Sequence, residues 1–320
     1  MPKRRALLGA FGAMLAAPRL ARAWPDRPIR WVVPFTAGGP TDVFGRMLAE
    51  RLGARLGQPV VVENRPGAGT VVANTAVARA APDGYTLCQT ISAFTLNPAL
   101  RPNLPYDTLR DIAPVSQLAI SPIVLVARRE FPATDIAGLV AVARARPEGL
   151  SYGTAGVGTL SHLALVLLMQ QAGIRMTHVP YNGFAQASLD LLQGRLDMVI
   201  DIWGGMRTHV QSGALKVLGV AGLAPVPGAP GLPKFADVQQ GFDVASSFGL
   251  IAPGGTPGAL LARVAAELKA ILHGPEMAPR LLDFGMVPVG SNPDEYAGWV
   301  AADVARWRKV VQDAGIRVEE

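Results

Sequence analysis

Two glycine-bearing loops are the parts of this 320-residue chain that could do chemistry. In the first, residues 36–41 read Thr-Ala-Gly-Gly-Pro-Thr, and Gly38 and Gly39 leave backbone N–H groups uncovered. In the second, residues 152–161 read Tyr-Gly-Thr-Ala-Gly-Val-Gly-Thr-Leu-Ser. Free N–H groups and the helix dipole together favour an anion at the start of a helix. The loops therefore predict anion sites, although a glycine pair also suits an ordinary strand-to-helix turn.

Alternating strands and helices must position these loops. Apolar and β-branched runs predict strands at residues 29–35, 60–63, 85–90, 123–127, 150–154, 176–181, 198–201 and 215–220. Helical spacing predicts helices from Thr41 onward and at 71–79, 136–146, 161–171, 187–192, 257–273, 275–284 and 293–314. This alternation predicts an α/β architecture with mostly parallel sheets.

The first 23 residues have the pattern of an export signal. Lys3, Arg4 and Arg5 precede an uncharged, mostly apolar run over residues 6–18, and residues 21–23 read Ala-Arg-Ala. That run is too short to be a good transmembrane helix. The arginine pair leaves both the Sec and the twin-arginine export routes open. We therefore expect residues 1–23 to be removed and the chain to act in the periplasm from Trp24.

Charge and cysteine content exclude further classes of partner. The leader holds five basic side chains and no acid, so the remaining chain carries 25 basic and 24 acidic residues. Such a balance gives no basic surface for nucleic acid. Cys88 is the one cysteine, so the fold has no internal disulfide and relies on its apolar core. We expect a monomer that binds no nucleic acid and does not insert in the membrane.

Catalytic and cofactor motifs are missing or incomplete. Gly156-x-Gly158 begins like a dinucleotide fingerprint but ends at Ser161. The sequence holds no phosphate-loop motif, no G-x-S-x-G nucleophile motif, and four histidines far apart. We therefore expect neither an enzyme nor a cofactor or metal. An exported enzyme that uses the same cleft, and a structural scaffold, remain as alternatives.

Several longer motifs follow one another along the chain. They are Trp24-Pro25-Asp26-Arg27-Pro28 with Val33-Pro34-Phe35 and Gly38-Gly39-x-x-Asp42, Glu63-Asn64-Arg65-Pro66-Gly67-Ala68-Gly69, Tyr152-Gly153-Thr154-Ala155-Gly156-x-Gly158-Thr159-x-Ser161-His162, His178-Val179-Pro180-Tyr181-x-Gly183, and Ala252-Pro253-Gly254-Gly255-Thr256-Pro257. In these motifs the chain resembles the substrate-binding proteins of tripartite tricarboxylate transporters, the Bug or TctC family. The resemblance covers nearly all residues after the leader.

The resemblance implies a type II periplasmic-binding-protein fold, with two α/β lobes and a ligand cleft between them. It implies a first lobe of residues 24–127 plus 248–320 and a second lobe of residues 128–247. Such a receptor closes on a small organic carboxylate by a hinge motion and catalyses no reaction. It implies delivery of the ligand to inner-membrane transporter subunits of the tripartite tricarboxylate type, or to a sensor.

The resemblance and the uncovered N–H groups together predict the ligand-binding residues. Other roles compete at some positions: dipole compensation at Asp42, a loop cap at Asp201, core packing at Tyr181 and local bonding at His162. The full set is Phe35, Thr36, Ala37, Gly38, Gly39, Thr41, Asp42, Thr90, Ser92, Ala93, Tyr152, Thr154, Ala155, Gly156, Gly158, Thr159, His162, Tyr181, Asn182, Gly183 and Asp201.

The chain departs from the family pattern beside the predicted cleft. Asn182 stands where many relatives carry Lys, and Gln186 stands where they usually carry Pro. Thr70 replaces a frequent Gly, and residues 246–248 replace a common tryptophan-bearing segment. The missing cation at position 182 suggests a less acidic ligand.

Overall fold

The computed structural model describes residues 24–181 and 184–316; the predicted leader, Asn182 and Gly183 lie outside them. The strands are β1 (Ile29–Val33), β2 (Val60–Asn64), β3 (Thr86–Ile91), β4 (Ile112–Arg128), β5 (Ser151–Thr154), β6 (Thr177–Pro180), β7 (Met198–Ile202), β8 (Leu215–Val220), β9 (Ala245–Pro253) and β10 (Val287–Pro288). The helices are α1 (Pro40–Leu56), α2 (Val71–Ala78), α3 (Ala93–Leu100), α4 (Ile136–Ala145), α5 (Leu160–Ala172), α6 (Phe184–Leu192), α7 (Trp203–Gln211), α8 (Gly258–Leu272), α9 (Met277–Asp283) and α10 (Pro293–Ala314).

Parallel strands form each end of one continuous sheet. At the first end, β1 pairs in parallel with β2 and β3. At the second end, β5 pairs in parallel with β6 and β7. Helices α1, α3, α5 and α7 directly follow β1, β3, β5 and β7. In such sheets ligands bind outside the carboxyl ends of the strands, so the starts of these four helices mark the region to inspect.

β4 and β9 join the two ends of the sheet. Both pair antiparallel with their neighbours, so the prediction of mostly parallel sheets was wrong. β9 pairs antiparallel with β3 and with residues 112–122 of β4. Residues 123–128 of β4 pair antiparallel with β7 and β8. We call β1–β3, β9, β10 and the first part of β4 the first lobe, and β5–β8 with the rest of β4 the second lobe. The prediction failed because β4, which continues from the first lobe into the second, and β9 beside it both run antiparallel to their neighbours.

Separate apolar cores cover the sheet in each lobe. In the first lobe, Trp31 of β1 and Leu268 of α8 are fully buried in one core. In the second lobe, Ile200 of β7 and Leu165 of α5 are fully buried in another. Complete burial of a large apolar side chain stabilises the fold by about 1.5–3 kcal/mol. These cores fix the strand ends from which the glycine loops start.

Helix α10 packs on both lobes. Tyr296 and Val304 lie in a core of the first lobe that includes Ile251 of β9. Trp307 and Val311, further along the same helix, lie in the main core of the second lobe. The 22 residues of α10 correspond to a length of about 33 Å at 1.5 Å per residue. One rigid element thus contributes to the core of each lobe.

The predicted helices at 71–79, 136–146, 161–171, 257–273 and 293–314 are confirmed as α2, α4, α5, α8 and α10, with small shifts at the ends. α3 and α7 were not predicted, because Pro98 lies inside α3 and two glycines open α7. The glycines are needed there. A Cβ on Gly204 would lie 2.7 Å from the Phe284 carbonyl oxygen, and one on Gly205 would lie 2.6 Å from Asp201 Oδ2. Among the described residues, no helix is both long and apolar enough to cross a bilayer.

Candidate functional site

Asp42 organises the β1–α1 loop, which we define as residues 34–39. Its Oδ2 accepts hydrogen bonds from the Gly38 backbone N–H and from Arg46 Nε, both at 2.9 Å. Its Oδ1 accepts one from Asn64 Nδ2 at 2.8 Å. The hydrogen bond from Arg46 has the largest effect and lowers the pKa of Asp42, whereas burial raises it. The hydrogen bonds from Gly38 and Asn64 lower it further, and the resulting pKa is about 2. The carboxylate is therefore an internal anchor for this loop.

The rest of the β1–α1 loop remains open to solvent. Thr36, Ala37 and Gly38 are exposed, and Phe35 and Thr41 are half-buried. Gly39 occupies the N-cap position of α1, which has no side-chain cap. N–H groups in the first turn of a helix lack partners within the helix. This end of α1 can thus accept an anion, although Asp42 already occupies the Gly38 N–H.

The β5–α5 loop, residues 155–159, has a built-in hydroxyl cap. Thr159 Oγ1 donates to the Gly156 carbonyl oxygen at 2.7 Å and accepts from the His162 backbone N–H at 3.4 Å. Ser161 Oγ lies 3.0 Å from Thr159 Oγ1. Gly156 and Gly158 adopt φ values of 132° and 73°, which side-chain-bearing residues rarely adopt. The glycines and the threonine together fix the turn into α5.

A stack of three rings packs next to the β5–α5 loop and is hydrogen-bonded to it. The His178 ring lies between Tyr152 and His162, at centroid distances of 5.0 and 4.1 Å. His162 Nδ1 accepts the Gly158 N–H at 3.2 Å, and His178 Nε2 lies 2.7 Å from Thr154 Oγ1. Burial lowers the pKa of both histidines. For His162, burial together with a smaller effect of the His178 charge lowers the pKa to about 4. Both rings are therefore neutral near pH 7.

A cavity of about 260 Å³ lies between the two lobes. The first lobe contributes the end of β3 and one side of α3, and the second lobe contributes the β5–α5 loop. Four of the predicted ligand residues meet here, and most of the other lining side chains are apolar. The four predicted residues are Ser92, Ala93, Gly158 and Thr159. We call this space the interlobe cavity.

Another cavity, of about 250 Å³, lies between α1 and α9. It is lined by Gly38 of the β1–α1 loop, by Pro40 at the start of α1 and by apolar side chains such as Phe44, Met47 and Phe284. Phe284 is 55% exposed, so the cavity opens to the surface. The β1–α1 loop therefore borders a separate apolar space within the first lobe.

Several predicted residues have partners within the protein. Thr90 is fully buried in β3, and Ser92 Oγ accepts the Ser247 backbone N–H of β9 at 2.9 Å. The Tyr181 hydroxyl donates to Asp190 Oδ2 at 2.7 Å, and burial and this contact raise the pKa of Tyr181 to about 12. Gln186, one of the family departures, donates to Asp190 Oδ1 at 2.9 Å. Tyr181 thus links the end of β6 to α6, whereas the Gln186 bond lies within α6.

Asp201 is the last residue but one of β7; it is buried and 3% exposed. Its Oδ1 accepts the N–H of the next residue, Ile202, at 2.6 Å. Burial raises the pKa of Asp201 to about 8, so the carboxyl group holds a proton at neutral pH. A protonated carboxyl is a hydrogen-bond donor as well as an acceptor.

The described residues show neither a metal-binding cluster nor a reactive thiol. No cluster of three or more His, Cys, Asp and Glu side chains with metal-binding geometry occurs within 24–181 and 184–316. Cys88 is fully buried in β3, and burial raises the pKa of its thiol, so the thiolate needed for nucleophilic attack does not form at neutral pH.

Sequence reasoning missed part of the interlobe cavity. Leu96 and Leu100 of α3, Arg101 immediately after α3, and Ser246 of β9 line it but were not predicted. The signal was present, because residues 93, 96, 97, 100 and 101 have the spacing of one helix face. Pro98 lies within that run, and proline is unfavourable inside a helix.

Comparison with known proteins identifies the family. The family model described as "Tripartite tricarboxylate transporter family receptor", TctC, matches residues 44–316. This chain belongs to the TctC family. The protein BugT of Bordetella pertussis is 34% identical over 324 residues, which cover 100% of this chain and 99% of BugT.

Solved structures of similar proteins agree with the TctC assignment. An R. palustris protein with adipate superposes at a TM-score of 0.76 with 33% identity, covering 92% of this chain and 99% of that one. MatC from Rhodopseudomonas palustris, with bound malate, superposes at 0.71 with 33% identity, covering 90% of this chain and 99% of MatC. The periplasmic binding protein BugD superposes at 0.73 with 33% identity, covering 92% of this chain and 100% of BugD.

These matches confirm the predicted family and the two-lobed α/β periplasmic-binding-protein fold. TctC proteins are solute receptors and not enzymes, so the alternative of an exported enzyme is excluded. Relatives in this family bind small carboxylates.

Proposed function

We propose that this TctC protein is an exported receptor that binds a small organic carboxylate between its lobes. The observation that carries the proposal is the interlobe cavity, which has walls from both lobes and contains Ser92, Ala93, Gly158 and Thr159. The adipate and malate bound to solved relatives support the ligand class. The exposed β1–α1 loop at Thr36 and Ala37, together with the uncapped start of α1, offers further N–H groups to the ligand.

The remaining predicted site residues, including His162, Asn182, Gly183 and Asp201, form part of the same proposal. We propose lobe limits of 24–127 with 248–320 and of 128–247. In support, β4 changes pairing partners between Pro122 and Ile123, shortly before the first limit, and β9 begins to pair with the first-lobe part of β4 at Ala245, shortly before the second limit. Removal of residues 1–23 and a periplasmic location are supported by the periplasmic relatives. Delivery to a tripartite tricarboxylate-type transporter or to a sensor, by a monomer, completes the proposal.

Thermal unfolding of the chain from Trp24 tests this function. The protein is first unfolded and refolded to remove any bound solute, then heated with carboxylates and with the matching amides, such as adipate and adipamide. A carboxylate at about 100 times its Kd stabilises the folded state by about 2.7 kcal/mol. We expect the carboxylates alone to raise the Tm. Equal shifts with the amides, or no shift with any carboxylate, would refute the proposal.

A further inference from the structure

Helix α3 forms a long wall of the interlobe cavity. The lining includes Ala93 at the start of α3, Leu96 and Leu100 along it, and Arg101 immediately after its end. From Ala93 to Arg101 the helix rises about 12 Å at 1.5 Å per residue. This wall of the cavity therefore runs from Ala93 to Arg101. The side chains between them are apolar, apart from Asn97.

The Arg101 side chain has no acidic partner at this end of the cavity. Within the described part of the chain, no carboxylate forms an ion pair with its guanidinium, and the cavity lining holds no acidic residue. Asp107 and Asp111 lie in an adjacent groove, which Arg101 also lines. The Asp111 carboxylate accepts from Arg110 Nε at 2.8 Å, and Asp107 Oδ1 accepts the backbone N–H groups of Leu109 and Arg110. The nearby acids are thus engaged elsewhere.

Neighbouring residues bring the guanidinium to the rim of the cavity. A Cβ on Gly69 would lie 3.7 Å from Arg101 Nη2 and 3.9 Å from Asn97 Oδ1. Both Gly69 and Asn97 line the cavity, and Asn97 Nδ2 donates to the Gly69 carbonyl oxygen at 3.0 Å. Arg101 is half-buried, so its charge is only partly solvated. A guanidinium in this position suits a carboxylate, which it can bind through two parallel hydrogen bonds.

We propose that Arg101 is a specificity-determining residue that binds a second anionic group of the ligand at the outer end of the interlobe cavity. The ligand class is then a dicarboxylate with an apolar spacer, which lies against Leu96 and Leu100. This inference rests on the proposed carboxylate-receptor function. The missing cation at Asn182 need not imply a less acidic ligand, because Arg101 supplies a cation from the other lobe.

A purely structural role for Arg101 makes a different prediction. Arg101 is the C-cap residue of α3, where a cation stabilises the helix dipole. Arg146 occupies the same position at the end of α4, is exposed and does not line the cavity. Arg146→Gln is therefore a matched control for the loss of a helix C-terminal charge.

Calorimetric titration of the refolded protein with paired ligands tests the proposal. The pairs are succinate with butyrate, adipate with hexanoate, and suberate with octanoate. We expect adipate or suberate to bind at least about tenfold more tightly than its monocarboxylate, a factor equal to about 1.4 kcal/mol. Arg101→Gln should abolish that preference and leave hexanoate affinity near the parent value. Arg101→Lys should keep part of it, and Arg146→Gln all of it.

Each other result refutes a defined part of the reasoning. A parent protein that binds hexanoate as tightly as adipate, or an Arg101→Gln variant that retains the preference, refutes the role of Arg101 alone. Equal loss of adipate and hexanoate binding in both Arg101 variants assigns Arg101 a structural role. A parent protein that binds no carboxylate of either kind refutes the proposed function as well.

Discussion

The His162 ring provides a pH-dependent test of how the β5–α5 loop is built. Its Nδ1 must be unprotonated to accept the Gly158 N–H, and the ring is 7% exposed beneath the loop. Burial, with a smaller effect of His178, lowers the pKa of His162 to about 4, compared with about 6.5 in the unfolded chain. Between these two values the unfolded state binds the proton more strongly. The free energy of unfolding should therefore fall as the pH drops below 6.5.

The size of this effect follows from the two pKa values. One pKa unit corresponds to about 1.4 kcal/mol, so the His162 contribution lost by pH 5 is about 2 kcal/mol. Asp201 acts in the opposite direction, because its raised pKa of about 8 makes the folded state the stronger proton binder over this range. The total stability of the parent protein can thus change little with pH. The difference between the parent and a His162 variant isolates the histidine.

His162→Asn is the informative variant, because an amide oxygen can replace Nδ1 as an acceptor without titrating. Urea unfolding of parent and variant at pH 7.5 and pH 5 gives the free-energy difference at each pH. We expect the variant to gain about 2 kcal/mol relative to the parent on going to pH 5. His273, exposed at the end of α8, supplies the control variant His273→Asn. A parent-to-variant difference that is the same at both pH values would refute the reasoning.

Three further changes test other parts of the structure. Asp201→Asn should raise the Tm at pH 8.5 and reduce the loss of stability between pH 5 and pH 8, because no buried carboxyl group then has to ionise. A lower Tm of the variant at pH 8.5 would contradict this. Asp42→Asn should destabilise the fold by about 1.5–3 kcal/mol in urea unfolding, because it disrupts charge-assisted hydrogen bonds. Asp294→Asn, which removes an exposed carboxylate from the first turn of α10, is the control and should destabilise the fold much less. Gly249→Ala should lower stability by at least about 1–3 kcal/mol, because the new Cβ would lie 1.9 Å from the Tyr296 hydroxyl oxygen; an unchanged midpoint would show that this contact relaxes freely.

The sequence predicted the repeated strand–loop–helix units because each carries a strong local signal. Residues 29–33 form a short apolar strand, and Phe44, Leu48 and Leu52 fall on the buried side of α1. The family motifs then placed these units in a two-lobed fold, which the comparisons confirm. Local pattern could not predict the antiparallel crossing strands. The first part of β4 contains Ser116 and Gln117, whose polar groups are paired only in the folded state.

Asp42 illustrates what a sequence leaves open at the site. Its position in the first turn of α1 suggested dipole compensation or ligand contact. The structure shows three donors on one carboxylate. Arg46 lies four residues further along the same helix, a spacing that can predict an ion pair, whereas Asn64 comes from β2, which no spacing rule links to the loop. Arg101 was missed for a related reason, since its place in the cavity depends on a helix that contains Pro98. The Asn64 contact with Asp42 and the position of Arg101 in the cavity both depend on the folded chain.

Helix α10 restricts how the two lobes can move. Tyr296 and Val304 anchor it in one core, and Trp307 and Val311 anchor it in the other. A motion that pulled the lobes straight apart would expose one of these sets of side chains, at a cost of about 1.5–3 kcal/mol for each large apolar group. Rotation about an axis close to α10 keeps both sets buried. The helix thus permits small rotations of one lobe relative to the other. It also couples their unfolding, because unfolding of either lobe would expose α10 side chains that belong to the core of the other.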